Sequence, residues 1–331
     1  MKYFFTILLL GYTGLGKAQP LSPSSPSWSP AKSSTRDSVL IFCYFKDNGQ
    51  DGLHYAWSRD GYTWTTLRQD SSFLTPSVGN DKLMRDPCII RGADGLFHMT
   101  WTVSWHERGI GYASSKDLIH WSAQQSIPVM EKEPTAKNCW APEITYDPSL
   151  KKYMIYWATT IPGRYPATDS LGDKGGYNHR IYYVLTKDFQ SFSDPAILFD
   201  PGFNSIDATI QPDGSHYLLF FKNEAVRPVA QKNIRLMVSD HLEYGYRDPS
   251  PAATPPPITG DYWAEGPTAI KFHGQWIVYF DKYTQHKYGA ITSSDLHTWT
   301  DVSDRMTFPK GLRHGTVFPI SAAEFTRWFG Q

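Results

Sequence analysis

Between Asp37 and Pro319 the chain shows no sustained helical periodicity. Its apolar residues come instead in short runs separated by Gly- and Asp-bearing turns. Four of these runs begin alike. Arg85-Asp86-Pro87 leads into Cys88-Ile89-Ile90, Trp140-Ala141-Pro142-Glu143 into Ile144-Thr145-Tyr146, Ser205-Ile206-Asp207 into Ala208-Thr209-Ile210, and Trp263-Ala264-Glu265-Gly266-Pro267 into Thr268–Phe272. Each sets a carboxylate at the mouth of a short apolar strand. Each is followed by a turn (Gly92-Ala93-Asp94-Gly95, Asp147-Pro148-Ser149, Pro212-Asp213-Gly214, His273-Gly274) and an aromatic-rich strand. The acids at 86, 143, 207 and 265 are 57, 64 and 58 residues apart, a step that marks a repeat architecture.

A second marker, Asp followed four residues later by an aromatic, occurs at Asp60/Trp64, Asp117/Trp121, Asp188/Phe192, Asp240/Tyr244 and Asp295/Trp299. The Asp is expected to fix a turn through its side chain, and the aromatic to pack between neighbouring units. Five copies, each with four short strands, predict an all-β fold: a five-bladed β-propeller. The first unit, Val39–Thr66, lacks an innermost strand, while Arg313–Pro319 is a strand without a blade. Placing this C-terminal strand innermost in the first blade closes the ring and removes an exposed edge; a trailing strand packed outside is the alternative. Ala322–Phe329 is the one stretch that reads as a short terminal helix. In this topology the loops after the second strands (Phe45–Gly52, Trp101–Gly109, Ile161–His179, Lys222–Asn233, Lys282–Lys287) surround the four acids. Pro249–Pro257 reads as a stiff connector.

Composition narrows the partners. The 331 residues include 32 basic and 32 acidic side chains, and this neutral balance argues against nucleic acid. Aromatics make up 15%, which fits structural packing and also stacking on sugar rings. Lys2, the apolar stretch Phe4–Leu10 and Gly16-Lys17-Ala18 read as a secretory signal over 1–18, too short in its apolar part to span a bilayer. Pro- and Ser-rich residues follow as a linker over 19–36, leaving 37–331 as the propeller domain. These features predict a secreted or periplasmic, unanchored, monomeric protein. Cys43, Cys88 and Cys139 read as buried free thiols, an odd number with no close pair.

Acids gathered at a propeller mouth can hydrolyse a glycosidic bond, bind a metal, or cap strands. In their order and spacing, Arg85-Asp86-Pro87, Trp140–Glu143, Ile206-Asp207, Glu265-Gly266-Pro267 and Arg313-His314-Gly315 resemble glycoside hydrolase family 43, over about Asp81 to Ile320. The resemblance implies a five-bladed propeller glycosidase acting on arabinose-, xylose- or galactose-containing polymers. It implies Asp86 as general base, Glu265 as general acid, and Asp207 as the acid that orients Glu265. No cofactor is implied for the chemistry. His314 is implied to sit beside a calcium or sodium ion in the central channel; a strand His satisfied by backbone groups is the other reading.

An inverting displacement needs an ionised base and a protonated acid about 6.5–9.5 Å apart. Glu265 is expected to hold its proton through repulsion by Asp207 and exclusion of water by Trp263, and Asp86 to stay ionised beside Arg85. Trp140 and Trp263 either stack on sugar or fill the funnel wall. Glu143 hydrogen-bonds a sugar hydroxyl or a neighbouring side chain. With Arg85 and Trp101 these complete the expected substrate-binding set. A whole unit precedes the Asp-Pro strand, so the loop around Asp47 and Asp51 also shapes the pocket. The expected activity is inverting exo-hydrolysis of terminal sugars, foremost α-L-arabinofuranose, with β-xylosidase and exo-β-galactosidase as alternatives. A family-32-like fructan hydrolase would need an Asn-Asp-Pro-Asn-type nucleophile strand, which Lys46-Asp47-Asn48-Gly49 does not supply. A non-catalytic carbohydrate-binding propeller is the rival from another class.

Overall fold

The computed structural model describes residues 37–172, 175–249 and 256–330. The expected signal segment and linker lie outside these residues, as does most of Pro249–Pro257. Five antiparallel sheets form. The first comprises β1 (Ser38–Tyr44), β2 (His54–Ser58), β3 (Thr65–Thr66) and, innermost, β19 (Gly315–Ser321). The second runs β4 (Arg85–Arg91), β5 (Phe97–Thr102), β6 (Ile110–Ser115), β7 (Gln125–Ile127), and the third β8 (Trp140–Asp147), β9 (Lys152–Thr159), β10 (Arg180–Thr186), β11 (Ala196–Phe199). The fourth is β12 (Ser205–Asp213), β13 (His216–Asn223), β14 (Asn233–Ser239); the fifth is β15 (Glu265–Phe272), β16 (Gln275–Lys282), β17 (Lys287–Ser293), β18 (Thr300–Asp301). β19, β4, β8, β12 and β15 neighbour one another around the centre, which makes the sheets blades of a β-propeller.

The core is a ring of five wedges rather than one nucleus. Ile89 and Trp101 of blade two meet Ile41 and Tyr55 of blade one, Cys88 and Ile110 meet Ile155 and Trp157, Tyr156 meets Leu219 and Phe221, Phe220 meets Val278, and Phe42 meets Tyr279. Each such side chain, fully buried, contributes roughly 1.5–3 kcal/mol. The Asp turn marker does what its pattern predicts in four blades. Asp60, Asp117, Asp188 and Asp295 each accept two backbone N–H bonds at 2.7–2.9 Å from residues two and three further on. The partner aromatic packs on the preceding blade: Trp64 meets Tyr279 at 5.6 Å and Trp299 meets Phe220 at 6.1 Å. The fourth blade departs from the pattern. Asp240 binds His216 and Arg247 instead, Tyr244 lies 59% exposed, and a lone bridge between Val238 and Arg247 stands where a fourth strand was expected.

Ring closure matches the sequence reading, with β19 paired antiparallel to β1 from Ser38–Ser321 to Tyr44–Gly315. β19 also reaches both neighbouring blades. The Val317 N–H donates to Thr268 Oγ1 (3.1 Å), and Cys43 Sγ bridges the carbonyls of Pro87 (3.2 Å) and Thr316 (3.4 Å). All three cysteines are buried and free. The helix α1 (Ala322–Phe329) follows, with Ser321 and Glu324 forming a capping box and Gly330 closing the C-terminus in the left-handed region. Its Phe325 packs on Trp57 (4.9 Å) and Trp328 on Phe97 (5.7 Å), so the helix covers the seam between blades one and two. No helix among the described residues is long and apolar enough to cross a membrane.

At the tightest point of closure a Cβ on Gly315 would lie 1.9 Å from the Cys43 carbonyl oxygen. Gly315→Ala is therefore expected to lower the unfolding free energy by at least the ~1–3 kcal/mol typical of overpacking. Urea titration followed by Trp fluorescence measures this; an unchanged midpoint would show that β1 and β19 can separate without loss.

Candidate active site

Each of the four acid-bearing inner strands carries a bulge at its mouth. Pairing slips between Arg85 and Cys88, Trp140 and Glu143, Ile206 and Thr209, and Glu265 and Thr268. The residue at the bulge has φ near +50° in every case: Asp86 (50°), Ala141 (47°), Asp207 (52°) and Gly266 (57°). The bulge, not the carboxylate, is thus what repeats in phase. Asp86 and Asp207 sit on it, Glu265 one residue before it and Glu143 two residues after. A bulge re-aims side chains, so these acids face different surroundings.

Asp86 lies against the closing strand. Its Oδ1 meets His314 Nδ1 at 3.3 Å, and its Oδ2 accepts from Thr102 Oγ1 at 2.9 Å; Thr102 Oγ1 in turn accepts from the Ala141 N–H at 2.8 Å. Burial works to raise the Asp86 pKa, but the His314 hydrogen bond and charge, Arg85 and Thr102 together hold it below the ordinary carboxylate value. Burial works to lower that of His314; Asp86, then Asp207 and Glu143, overcome it and raise it to about 9. Asp86 and His314 therefore form a buried ion pair near neutral pH.

Glu265 stands among cations. Lys222 Nζ donates to its Oε2 at 2.9 Å and Arg313 NH2 to its Oε1 at 3.2 Å, while Arg313 Nε also binds Asp281. Asp207 is turned inward, accepting the Gly266 N–H at 2.9 Å. The expected division of protons is reversed here. Burial pushes Glu265 up, but Lys222, Arg313 and His314 bring it below its ordinary value. Burial raises Asp207 to about 6 against His314 and Lys222, with Glu265 and Asp86 adding repulsion. The cations contact Glu265 directly, so the proton of this pair rests on Asp207. Asp281 is likewise raised to about 6 by burial, despite Arg313.

Glu143 does not reach the pocket. It is 4% exposed, its Oε2 accepts from Thr209 Oγ1 (2.6 Å) and Tyr156 OH (3.3 Å), and burial raises its pKa to about 7. Of its two expected roles, the bond to neighbouring side chains is the one present. Trp101 is also misassigned: it is fully buried in the core, with its ring beneath Gly111. The strand pairing of Trp101 with Gly111 explains this, since only glycine leaves room for the indole there.

The exposed aromatic of that loop is Trp105, four residues on and 38% exposed. Its Nε1 donates to Asn48 Oδ1 (3.1 Å), and Arg85 lies over its ring at 4.2 Å while also covering Phe45 at 4.6 Å. Arg85 is thus sandwiched and donates to Asn48 (3.0 Å), supporting Asp86 by charge rather than by a salt bridge. Trp140 donates to the Trp105 carbonyl (3.0 Å) and meets the Trp105 and Tyr177 rings at 5.5 and 4.9 Å. Trp263 is 41% exposed, beside Tyr283 (6.0 Å) and Lys232 (5.9 Å). All five second-strand loops contribute, through Asn48, Trp105, Tyr177, Glu224 and Tyr283. Asp51 instead binds His54.

No group of three or more His, Cys, Asp or Glu among the described residues is arranged to hold an ion. The His314 Nδ1 faces Asp86 Oδ1 at 3.3 Å.

A family profile described as "Probable glycosyl hydrolase domain", of the family-43-related type, matches residues 38–326. The chain belongs to this family. Its domain is therefore of the family-43-related glycosyl hydrolase type. An α-L-arabinofuranosidase of Bifidobacterium longum is 24% identical over 202 residues, covering 54% of this chain and 19% of that protein. The chain thus spans only about a fifth of that relative. A thermostable family-43 glycoside hydrolase aligns over 72% of this chain and 80% of its own, with 18% identity and a TM-score of 0.53. An α-L-arabinofuranosidase from Lactobacillus brevis aligns over 66% and 72%, with 17% identity and a TM-score of 0.50. At these identities the two structures share the fold.

The Asp86–His314 pair sets a pH window for stability. The lowered Asp86 pKa contributes stability above its ordinary 3.8 that is lost as pH falls through the folded value. The raised His314 pKa contributes fully below its ordinary 6.5 and is lost as pH rises through about 9. The melting-temperature advantage of the parent over His314→Gln is expected to be greatest between about pH 4 and 6.5 and to shrink towards pH 9. An advantage that grows with pH would contradict the ion pair.

Proposed function

We propose that this family-43-type hydrolase is a secreted, monomeric, inverting exo-enzyme that removes terminal α-L-arabinofuranose from a plant-type polysaccharide. The observation that carries this reading is the difference in surroundings of two carboxylates, Asp86 paired with His314 and the partly exposed Glu265 held by Lys222 and Arg313. Asp86 is kept ionised by His314 and Thr102, and Glu265 stands beside Asp207, an acid that binds a proton near pH 6. Asp86, with 13% of its side chain exposed, activates the water; Glu265, with 23% exposed, reaches the leaving oxygen. A sugar docked beside Glu265 excludes water and disfavours its charge, which raises its affinity for the proton it donates. Asp207 orients Glu265 through the Gly266 N–H.

The choice of sugar rests on the arabinofuranosidase relatives. Trp105, Trp140 and Trp263 present partly exposed aromatic surface on which a neutral sugar can stack. Secretion rests on Lys2, Phe4–Leu10 and Gly16-Lys17-Ala18.

The test is a panel of 4-nitrophenyl glycosides (α-L-arabinofuranoside, β-D-xyloside, β-D-galactoside) beside arabinose-bearing polymers. Asp86→Asn is expected to lose roughly 10²–10⁴-fold on every substrate. Glu265→Gln should lose as much on polymer but less on the aryl glycoside, whose nitrophenolate leaves without a proton. Proton NMR of the first-formed sugar should show inversion; retention, or turnover of the xyloside alone, would overturn the assignment.

A further inference from the structure

Lys222 is an unusual neighbour for a proton donor. It lies at the end of β13 with a side chain only 2% exposed, and its ammonium sits between two carboxylates, Glu265 at 2.9 Å and Glu224 at 2.6 Å. The contact to Glu224 is one of charge, while that to Glu265 is an aligned hydrogen bond. Glu224 is held from its other side by Lys232, and Lys222 also lies 4.8 Å over the Tyr283 ring. Lone ammonium groups are rarely buried to this degree. Two carboxylates and an aromatic face make this one stable, and they fix its position relative to Glu265.

We propose that Lys222 is a positioning residue acting through Glu265: its ammonium fixes the carboxylate, and Glu224, by sharing that ammonium, sets how acidic the medium must be before Glu265 carries a proton. The inference rests on the reading of Glu265 as proton donor. The groups facing Glu265 are Lys222, with Glu224 behind it; Arg313 and His314 ahead of β19; Asp207 on β12; Asp281, its register partner on β16; Tyr283 and Tyr288 after β16; and Arg85 on β4. Arg313 is divided between Asp281 and Glu265, and His314 is committed to Asp86. Lys222 and Glu224 are thus a pair whose two members can be altered separately with opposite electrostatic signs.

That opposition supplies the test. Lys222→Met removes a cation from Glu265, so the carboxyl should keep its proton to higher pH. The basic limb of the kcat/KM–pH profile should then move up by about one pH unit or more. Glu224→Gln frees Lys222 for Glu265 and removes a nearby anion, so the limb should move down. A residue that only supports packing would lower kcat/KM with the limb unmoved, or move it the same way in both variants; either result overturns the proposal.

Glutamate-selective ¹³C carboxyl titration of parent, Lys222→Met and Glu224→Gln, with Glu265→Gln assigning the resonance, reads the same shifts without substrate. Opposed carboxyl shifts in a protein without glycosidase activity would keep the clamp and sink the catalytic reading. Activity with an unmoved Glu265 resonance would do the reverse. Lys222→Arg, which keeps the charge, should restore the parental limb if Lys222→Met folds poorly.

Discussion

The pairing of β19 with β1 is the interaction on which the pocket depends. It supplies the first blade with its inner strand, and it also delivers Arg313 and His314, the two residues just ahead of β19, to different acids. His314 meets Asp86 and Arg313 meets Glu265 and Asp281, so charges that the early and late blades leave uncompensated are balanced by one late segment. Loop closure over nearly the whole chain is entropically costly. The antiparallel ladder, the Cys43 and Thr268 bonds to the neighbouring blades and the α1 contacts over the seam offset that cost together. The Asp86–His314 pair therefore cannot form before the closing strand has docked, whereas Lys222, Glu224 and Glu265 pair within blades four and five.

Within the ring, the bulge decides what each inner strand offers. Asp and Gly tolerate a left-handed backbone better than most residues, and Asp86, Asp207 and Gly266 occupy it. Ala141 does so as well, and its N–H is held by Thr102 Oγ1. With the backbone turned at the same step, one address carries a carboxylate in blades two and four. The address before it carries Arg85, Trp140 and Glu265, and the address two after it carries Cys88, Glu143, Thr209 and Thr268. The same fold step thus gives a mouth acid in one blade and a buried, hydrogen-bonded acid in another.

This explains what could be read from the sequence. Blade number, closure, the Asp turns and α1 follow from periodicity, turn chemistry and capping, all local signals repeated often enough to reinforce each other. The meeting of Asp86, Asp207 and Glu265 with His314 was legible as a shared step along the chain. Phase was not: a one- or two-residue offset from the bulge is invisible without the pairing register, and so Glu143 reads as a mouth acid in sequence although its expected role differs from that of the other three. Trp101 and Trp105 lie in the same loop region, and only the pairing of Trp101 with Gly111 shows which indole is covered. The signal that could have found Trp105 is its place in the loop proper rather than at the strand end. Lys222 carried no sequence signal, because a lysine at a strand end is ordinarily solvated.

Charge placement then fixes how the two halves of the pocket differ. On the side of blades two and three stand Arg85, Trp105, Trp140 and Tyr177 in a chain of contacts, a surface rich in aromatic faces, with Phe45 buried beneath Arg85. On the side of blades four and five stands Glu265, backed by buried Lys222 with Glu224 behind it and tied through Arg313 to Asp281. A neutral sugar gains from stacking on the first wall and from directional hydrogen bonds to the second. The second wall is already internally paired, so it presents little unbalanced charge to repel or trap a ligand. Its protonation is governed by neighbours within the wall, with Lys222 and Arg313 acting on Glu265 and burial acting on Asp207 and Asp281. On the proposed reading, recognition and proton supply fall to different blades, and a change in the aromatic loops alters the preferred sugar without disturbing the acid that serves it.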